Sequence, residues 1–127
     1  MIKDFDKWNI KKKEINERVG LFCHERELWW CTFGLNVGYE QNGSDIEYRR
    51  PAVILKSLSR ETCFVIPLTT SKNYHKYRPS IGLVGNKEAC ALLSQMRVID
   101  TKRLVKKIGS LDQQTFNSIR KTVKDML

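Results

Sequence analysis

The sequence has 127 residues, which is enough for one compact domain, expected over residues 1–127, and too few for two. Its hydrophobic fraction of 41% is that of a globular protein, and no apolar run reaches the roughly 18 residues that a membrane-spanning helix needs. The 23 Lys and Arg residues against 14 Asp and Glu residues give a net charge of +9, which excludes an acidic surface and favours RNA, DNA or an acidic protein as partner.

The N-terminal segment predicts a helix. Phe5, Trp8 and Ile15 fall near one face of that helix, and the lysines between them supply a solvated remainder. We therefore expect a helical extension over residues 1–18 and a core over residues 19–127. Acids and lysines interrupt the segment throughout, so it has no apolar centre of the signal-peptide type, and we expect a cytoplasmic protein.

Short β-type runs divided by turn residues follow from Glu25 onward. Their number and spacing favour a compact, strongly bent sheet or a small barrel. The two central runs are separated by LSRE, which has the length of a hairpin connection. The runs are ELWWCTFG, PAVILKS, TCFVIPL, SIGLVG, CALLSQMRVID and RLVKKIG.

Two polar loops interrupt these runs. The first, LNVGYEQNGSDIEYR, is too long for a tight hairpin, and loops of this length are often functional, so Glu40 and Gln41 are candidates for shaping or gating a groove. The second, TTSKNYHKYRPS, interleaves basic groups with flat rings, a mixture that suits single-stranded nucleic acid. An ordinary solvated loop is the alternative. The residues in question are Lys72, Tyr74, His75, Lys76, Tyr77 and Arg78.

The chain closes with a predicted helix whose apolar stripe packs onto the sheet. Ser110 and Gln113 have the spacing of a capping box, and Gly109 is expected to end the strand before it. The expected fold is therefore mainly β with a helix at each end. The apolar stripe consists of Phe116, Ile119, Val123 and Met126.

Several common catalytic motifs are missing. The sequence contains no GxxxxGK[ST] phosphate loop, no GxGxxG, no HExxH and no GxSxG elbow, so the corresponding enzyme classes have no support. The four cysteines form no CxxC pair and lie in apolar surroundings, which indicates buried reduced thiols. We therefore expect neither a metal site nor a cofactor. The cysteines are Cys23, Cys31, Cys63 and Cys90.

Polar residues at the ends of the predicted strands remain as candidates for chemistry. Gln95 and Arg97 are expected to share one strand face, with Asp100 closing the strand near the arginine. An arginine beside an aspartate is often only a structural ion pair, and hydroxyls after a strand often only form a turn. The candidates are Arg49 and Arg50 before one run, Thr69, Thr70 and Ser71 after another, and Gln95, Arg97 and Asp100 along a third.

Four motifs in order resemble the MazF/PemK (Kid) family of toxins from type II toxin–antitoxin systems. They are ELWWCTFGLNVGYEQNG, RRPAVIL, VIPLTTSK and LLSQMRVIDTKRLVKKIGSL, and the resemblance runs from about Glu25 to the C-terminus. This chain differs from the family pattern by the helix before Val19, by SDIEY in the first loop and by the lack of a glycine shortly before the Arg-Pro pair. These differences concern loop geometry and RNA preference more than the fold.

The resemblance implies a small SH3-like, strongly curved antiparallel β-barrel of the CcdB/PemK type. It also implies a homodimer that cuts single-stranded RNA at a short sequence without a metal and is neutralised by a small acidic antitoxin. Arg50 matches the arginine of the family's Arg-Pro motif and Thr69 matches the threonine that ends its PLT strand, so both are expected to be catalytic. Supporting or RNA-binding roles are expected for Glu40, Gln41, Arg49, Thr70, Ser71, Lys72, His75, Gln95, Arg97 and Asp100.

The chemistry of metal-free RNA cleavage agrees with this assignment. The ribose 2′-OH is the nucleophile, so the reaction requires a proton acceptor, a proton donor and stabilisation of a negatively charged phosphorane. The planar guanidinium of Arg50 suits the last task, and the Thr69 hydroxyl can hold the phosphate. His75, with an ordinary pKa of about 6.5, is a weaker candidate for the base. A non-catalytic CcdB-like gyrase poison and an RNA-binding module are the alternatives.

Overall fold

The computed structural model of the protein describes residues 7, 10, 12, 15, 20–33, 49–71 and 77–127. In these residues the chain forms a seven-stranded antiparallel sheet followed by a helix. The predicted N-terminal helix lies outside the described residues except for those four positions, and no helix of the described part is long and apolar enough to cross a membrane. The strands are β1 (Glu27–Thr32), β2 (Arg49–Ser57), β3 (Thr62–Thr69), β4 (Ser80–Val84), β5 (Lys87–Ala91), β6 (Arg97–Asp100) and β7 (Leu104–Ser110), with short 3₁₀ helices at Leu93–Gln95 and Thr101–Arg103 and the C-terminal helix at Gln113–Asp125.

The sheet curls around β3, which changes partner along its length. On one side β3 pairs with β2, and on the other side its first four residues pair with β6 while Leu68 and Thr69 pair with β5. Pro67 lies in the gap between these two partners, where the N–H that proline lacks is not needed for a ladder bond. The predicted mainly β fold with a C-terminal helix is therefore confirmed, with the sheet curled into a half-barrel of strand order β4-β5-β3-β2-β1-β7 and β6 beside β3.

Both faces of the central strands are buried, in two separate apolar clusters. Val53 of β2 belongs to one cluster while its neighbours Ala52 and Ile54 belong to the other, because successive side chains of a strand point to opposite faces. The first cluster contains Phe116 and Ile119, so the C-terminal helix covers this face of the sheet, which is called the helix face below. The opposite face, called the far face below, carries Trp29, Cys31, Phe33, Ala52, Ile54, Cys63, Val65, Ile99 and Leu104.

The C-terminal helix is capped by Asp112, and the prediction of a capping box at Ser110 is wrong. The Asp112 carboxylate accepts hydrogen bonds from the N–H and the hydroxyl of Thr115, at 2.9 and 2.6 Å. Ser110 still belongs to β7, where it lies opposite Glu27, so the strand continues past Gly109. The apolar stripe is confirmed: Phe116 and Ile119 are buried, and Val123 and Met126 pack against the same cluster.

The segment CALLSQMRVID was expected as one run, and the structure divides it. β5 ends at Ala91, a 3₁₀ helix turns the chain, and β6 begins at Arg97. The Leu92 N–H donates to the carbonyl of Pro67, which holds the turn at the point where β3 changes partner. Gln95 lies in the 3₁₀ helix, so the prediction that it shares a strand face with Arg97 is wrong.

Candidate functional site

Arg50 and Thr69 lie at neighbouring ends of β2 and β3. Ala52 is opposite Pro67, and continuing this register by two residues places Arg50 beside Thr69 on the far face. The Arg50 Nη1 donates a hydrogen bond of 3.1 Å to the carbonyl oxygen of Leu68, the residue before Thr69. The antiparallel pairing therefore brings together two residues that are 19 positions apart in the sequence.

The Arg50 side chain is a buried cation. It is only 8% exposed, and burial lowers the pKa of its guanidinium. The ordinary pKa of arginine is so high that Arg50 stays protonated at neutral pH in spite of this shift. A cation that has lost part of its hydration interacts more strongly with an anion than one in bulk water.

The hydroxyl of Thr69 has one observed partner. Its Oγ1 accepts a hydrogen bond of 3.1 Å from the N–H of Ser71, so Thr69 does help to form the turn after β3. In this bond the hydroxyl is the acceptor, and its own proton can be donated to a further oxygen. Thr70 and Ser71 follow β3 and are exposed, so they lie at the solvent edge of the candidate site.

Two further arginines converge on the end of β1. The guanidinium carbon of Arg97 lies 5.6 Å from the centroid of the Phe33 ring, and Arg103 Nη1 donates a hydrogen bond of 3.1 Å to the carbonyl of Thr32. Arg50 is close to the same point, because it lies opposite Cys31 in the β1–β2 register. The curl of the sheet thus gathers three arginines from three separate segments.

The electrostatics of this cluster are strongly positive. Burial, and then the nearby charge of Arg97, lower the pKa of Arg103, while the carboxylate of Asp100 acts in the opposite direction. Asp100 also accepts a hydrogen bond of 2.8 Å from the Lys102 N–H and so caps the second 3₁₀ helix. The excess of cations over carboxylates suits an anionic ligand.

Arg103 and Phe33 were not among the residues predicted from the sequence. Arg103 directly precedes the apolar start of β7, as Arg50 precedes the apolar run of β2, so the same signal was present in KRLV. Phe33 is apolar and buried, and only its position under the Arg97 guanidinium connects it with the site.

The other predicted residues are placed as follows. Arg49 is half-buried opposite Thr32 and points to the helix face, since it is the neighbour of Arg50 on the same strand. By the same alternation Asp100 and Arg97 point to opposite faces of β6. Among the described residues no group of three or more His, Cys, Asp or Glu side chains is arranged to hold a metal ion. Six predicted residues lie outside the described part of the chain: Glu40, Gln41, Lys72, Tyr74, His75 and Lys76.

This arrangement can bind one phosphodiester group. Guanidinium groups provide charged donors in a fixed plane, and the Thr69 hydroxyl adds a neutral donor beside Arg50. Such donors stabilise the extra negative charge that develops when a phosphate is attacked.

The fold matches that of several solved toxins. MazF (Form-I) from Deinococcus radiodurans is 18% identical with a TM-score of 0.69, over 84% of this chain and 96% of that one. The MazE–MazF complex (Form-II) from the same organism matches at 14% identity and a TM-score of 0.61, over 84% and 95% of the two chains. An endoribonuclease in complex with its cognate antitoxin from a mycobacterial species matches at 14% and 0.60, over 82% and 93%. At these identities the likeness shows the fold alone.

The sequence itself gives the family. A search of curated proteins found no relative of similar sequence. The sequence model of the family described as "PemK-like, MazF-like toxin of type II toxin-antitoxin system" matches residues 24–127, which is most of the chain. The protein therefore belongs to the PemK-like, MazF-like toxins of type II toxin–antitoxin systems.

Proposed function

We propose that this toxin is an endoribonuclease that cleaves single-stranded RNA at a short sequence, without a metal ion, and so reduces translation in the cytoplasm. The observation that carries the proposal is the buried Arg50 guanidinium, held by the Leu68 carbonyl beside the Thr69 hydroxyl. Membership of the toxin family supports the same activity, and one structural relative is itself described as an endoribonuclease.

In the proposed reaction the ribose 2′-oxygen attacks the adjacent phosphorus. The new O2′–P bond forms as the P–O5′ bond breaks, a base accepts the 2′-OH proton, and a proton is delivered to the leaving 5′-oxygen. The products are a 2′,3′-cyclic phosphate and a 5′-hydroxyl. Arg50 stabilises the charge on the equatorial oxygens, and Thr69 donates a hydrogen bond to one of them.

Arg97 and Arg103 are proposed to bind phosphates next to the cleaved one. Both belong to the cluster at the end of β1, and their charge also attracts the RNA over a distance set by the salt concentration. The same positive surface suits a small acidic antitoxin. Antitoxin complexes among the structural relatives support such a partner, and we expect the toxin itself to be a homodimer.

The activity is tested with purified protein and a long single-stranded RNA in excess EDTA, with the cuts mapped by primer extension. We expect discrete cuts by the wild type and none by Arg50→Ala. Arg120→Ala is the matched control. Arg120 is an exposed arginine beside Phe116 in the C-terminal helix, which covers the helix face of the sheet. Circular dichroism is used to check that each variant is folded. A folded wild type that makes no cuts would overturn the proposal in favour of a gyrase-type poison or a binding module.

A further inference from the structure

A second surface of the protein combines an exposed ring with positive charge. Phe22 is 69% exposed, and the guanidinium carbon of Arg60 lies 5.1 Å from the centroid of its ring. These two residues line a cleft of about 280 Å³ together with Lys102. Phe22 precedes the family match, which begins at residue 24, so this surface combines family positions with a segment of the chain outside the match.

The segment that carries Phe22 approaches Thr101 closely. A Cβ atom on Gly20 would lie 2.3 Å from the hydroxyl oxygen of Thr101, so only glycine allows this close approach. The Thr101 hydroxyl donates a hydrogen bond of 2.8 Å to the Arg60 carbonyl, and the Thr101 N–H donates one of 2.9 Å to the Glu61 carbonyl. Thr101 therefore lies between Gly20, two residues before Phe22, and the backbone of Arg60.

This cleft adjoins a second one that includes an arginine of the cluster at the end of β1. A neighbouring cleft of about 250 Å³ shares Asp100 and Lys102 with the first and is also lined by Lys12 and Arg103. Arg103 belongs to the arginine cluster at the end of β1. The two clefts thus form a row that leads from the cluster to the Phe22 ring.

The row fits an extended polyanion with flat rings. The two clefts share Asp100 and Lys102, so a chain lying along the row can contact both. Lys12, Arg60, Lys102 and Arg103 outnumber the two carboxylates of the lining, one of which caps the Lys102 N–H. Aromatic rings beside cations are the surface on which unpaired bases stack.

We propose that Phe22, Arg60 and Lys102 form an auxiliary nucleotide site, which holds the single-stranded RNA substrate several nucleotides away from the cleaved phosphodiester. A base stacks on the Phe22 ring, Arg60 extends the stacking surface, and Lys102 contacts a phosphate along the row. This inference rests on the proposed ribonuclease function. It implies that the protein also recognises nucleotides of the RNA outside the cleavage sequence.

The test measures binding of two labelled RNAs to the whole protein by fluorescence anisotropy. Both carry the mapped cleavage sequence with a 2′-deoxy nucleotide at the cut, and only the longer one has flanking nucleotides. Loss of one stacked base typically weakens binding about 5- to 150-fold, so we expect Phe22→Ala to weaken binding of the long RNA by a factor in this range and to leave the short RNA within about twofold. Extending the RNA on one side at a time identifies the end that reaches the site.

Leu83→Ala is the matched control, because Leu83 is a 67% exposed apolar residue on β4. It is expected to bind both RNAs like the wild type. Gly20→Ala is a second variant and is expected to reproduce the Phe22→Ala defect, since the added Cβ meets the Thr101 hydroxyl and displaces the segment.

The outcomes separate this inference from the proposed function. If the wild type cuts RNA and Phe22→Ala binds the long RNA as Leu83→Ala does, the auxiliary site is wrong while the ribonuclease function stands. If Phe22→Ala instead loses affinity only for an acidic antitoxin peptide, the surface is a protein-docking site and the inference is also wrong. If the folded wild type cuts no RNA, both proposals fall together.

Discussion

At the scale of single residues, Arg50 is proposed to combine two roles that require a guanidinium. One nitrogen donates to the Leu68 carbonyl, and the guanidinium presents its N–H groups in one fixed plane, a geometry that matches phosphate oxygens. A lysine ammonium is a point charge on a flexible stem, so it cannot reproduce this geometry even though it keeps the charge. The identity of the side chain, and not only its sign, is therefore expected to matter.

The variant Arg50→Lys tests this point. We expect kcat for RNA cleavage to fall by about 10²- to 10³-fold, the usual effect of losing one well-placed donor to a developing charge, with a smaller change in KM. Arg120→Lys on the helix face serves as control and is expected to keep wild-type kinetics. Activity of Arg50→Lys within threefold of the wild type would show that charge alone is sufficient.

Glu27 is a second residue whose charge matters, here for the stability of the fold. Its carboxylate contacts Lys107 Nζ at 2.9 Å, the His24 N–H at 2.7 Å and the Trp29 Nε1 at 3.1 Å. Burial by itself raises the pKa of Glu27, but these partners outweigh it and the pKa lies below its ordinary value of 4.5. Because the pKa is lower in the folded protein than in the unfolded chain, the stabilisation is complete above pH 4.5 and is lost as the pH falls through the folded-state pKa.

We therefore expect Glu27→Gln to lower the free energy of unfolding at neutral pH by about 1–3 kcal/mol, since the hydrogen bonds from Lys107 and the backbone lose a charged acceptor. Urea unfolding at a series of pH values measures the effect, and the difference from wild type should shrink as the pH falls below the ordinary pKa. Glu88→Gln, at an exposed position of β5, is the control. A difference that stays constant with pH would contradict the assigned role of the charge.

At the scale of elements, the C-terminal helix is held by its contacts with the sheet. Its start is set by the Asp112 cap, and its buried residues Phe116 and Ile119 belong to the same cluster as Val53 and Ile66 of the central strands. Isolated helices of this length are marginal in water, so packing onto the helix face is what stabilises this one. The helix in turn closes the face of the sheet opposite to the arginine cluster.

The variant Phe116→Ala measures this packing. Loss of a fully buried phenylalanine leaves a cavity and is expected to lower the free energy of unfolding by about 3–5 kcal/mol. Asn117→Ala, one residue later on the exposed side of the helix, is expected to change it by less than about 0.5 kcal/mol. Equal effects of the two variants in urea unfolding would show that the helix is not part of the cooperative core.

At the scale of the whole molecule, part of the positive charge behind the net +9 is concentrated in one cluster. Arg50, Arg97 and Arg103 converge at one point of the far face, whereas Arg120 lies on the helix face. We therefore expect a polyanion to be attracted by the whole protein and to be bound at the side that carries the arginine cluster.

The salt dependence of RNA binding tests this asymmetry. Each phosphate contact to a single strand contributes about 0.7 to the slope of log K against log salt, so Arg103→Ala is expected to reduce the slope by about that amount. Arg120→Ala is expected to leave the slope unchanged, although it removes the same charge. Equal reductions by the two variants would indicate non-specific attraction and contradict a localised RNA site.

The sequence by itself determined the features that depend on local periodicity: the β-type runs, the LSRE hairpin and the stripe from Phe116 to Met126. The candidate pair Arg50 and Thr69 came from the resemblance of the sequence motifs to the toxin family. Only the tertiary structure decided features that depend on distant partners. The strand containing Ser110 continues because it pairs with Glu27, and β3 changes partner at Pro67, which turns Gln95 away from the strand. Arg103 joins the site because the curl of the sheet brings it to Thr32, 71 positions away in the sequence, and no local pattern encodes that contact.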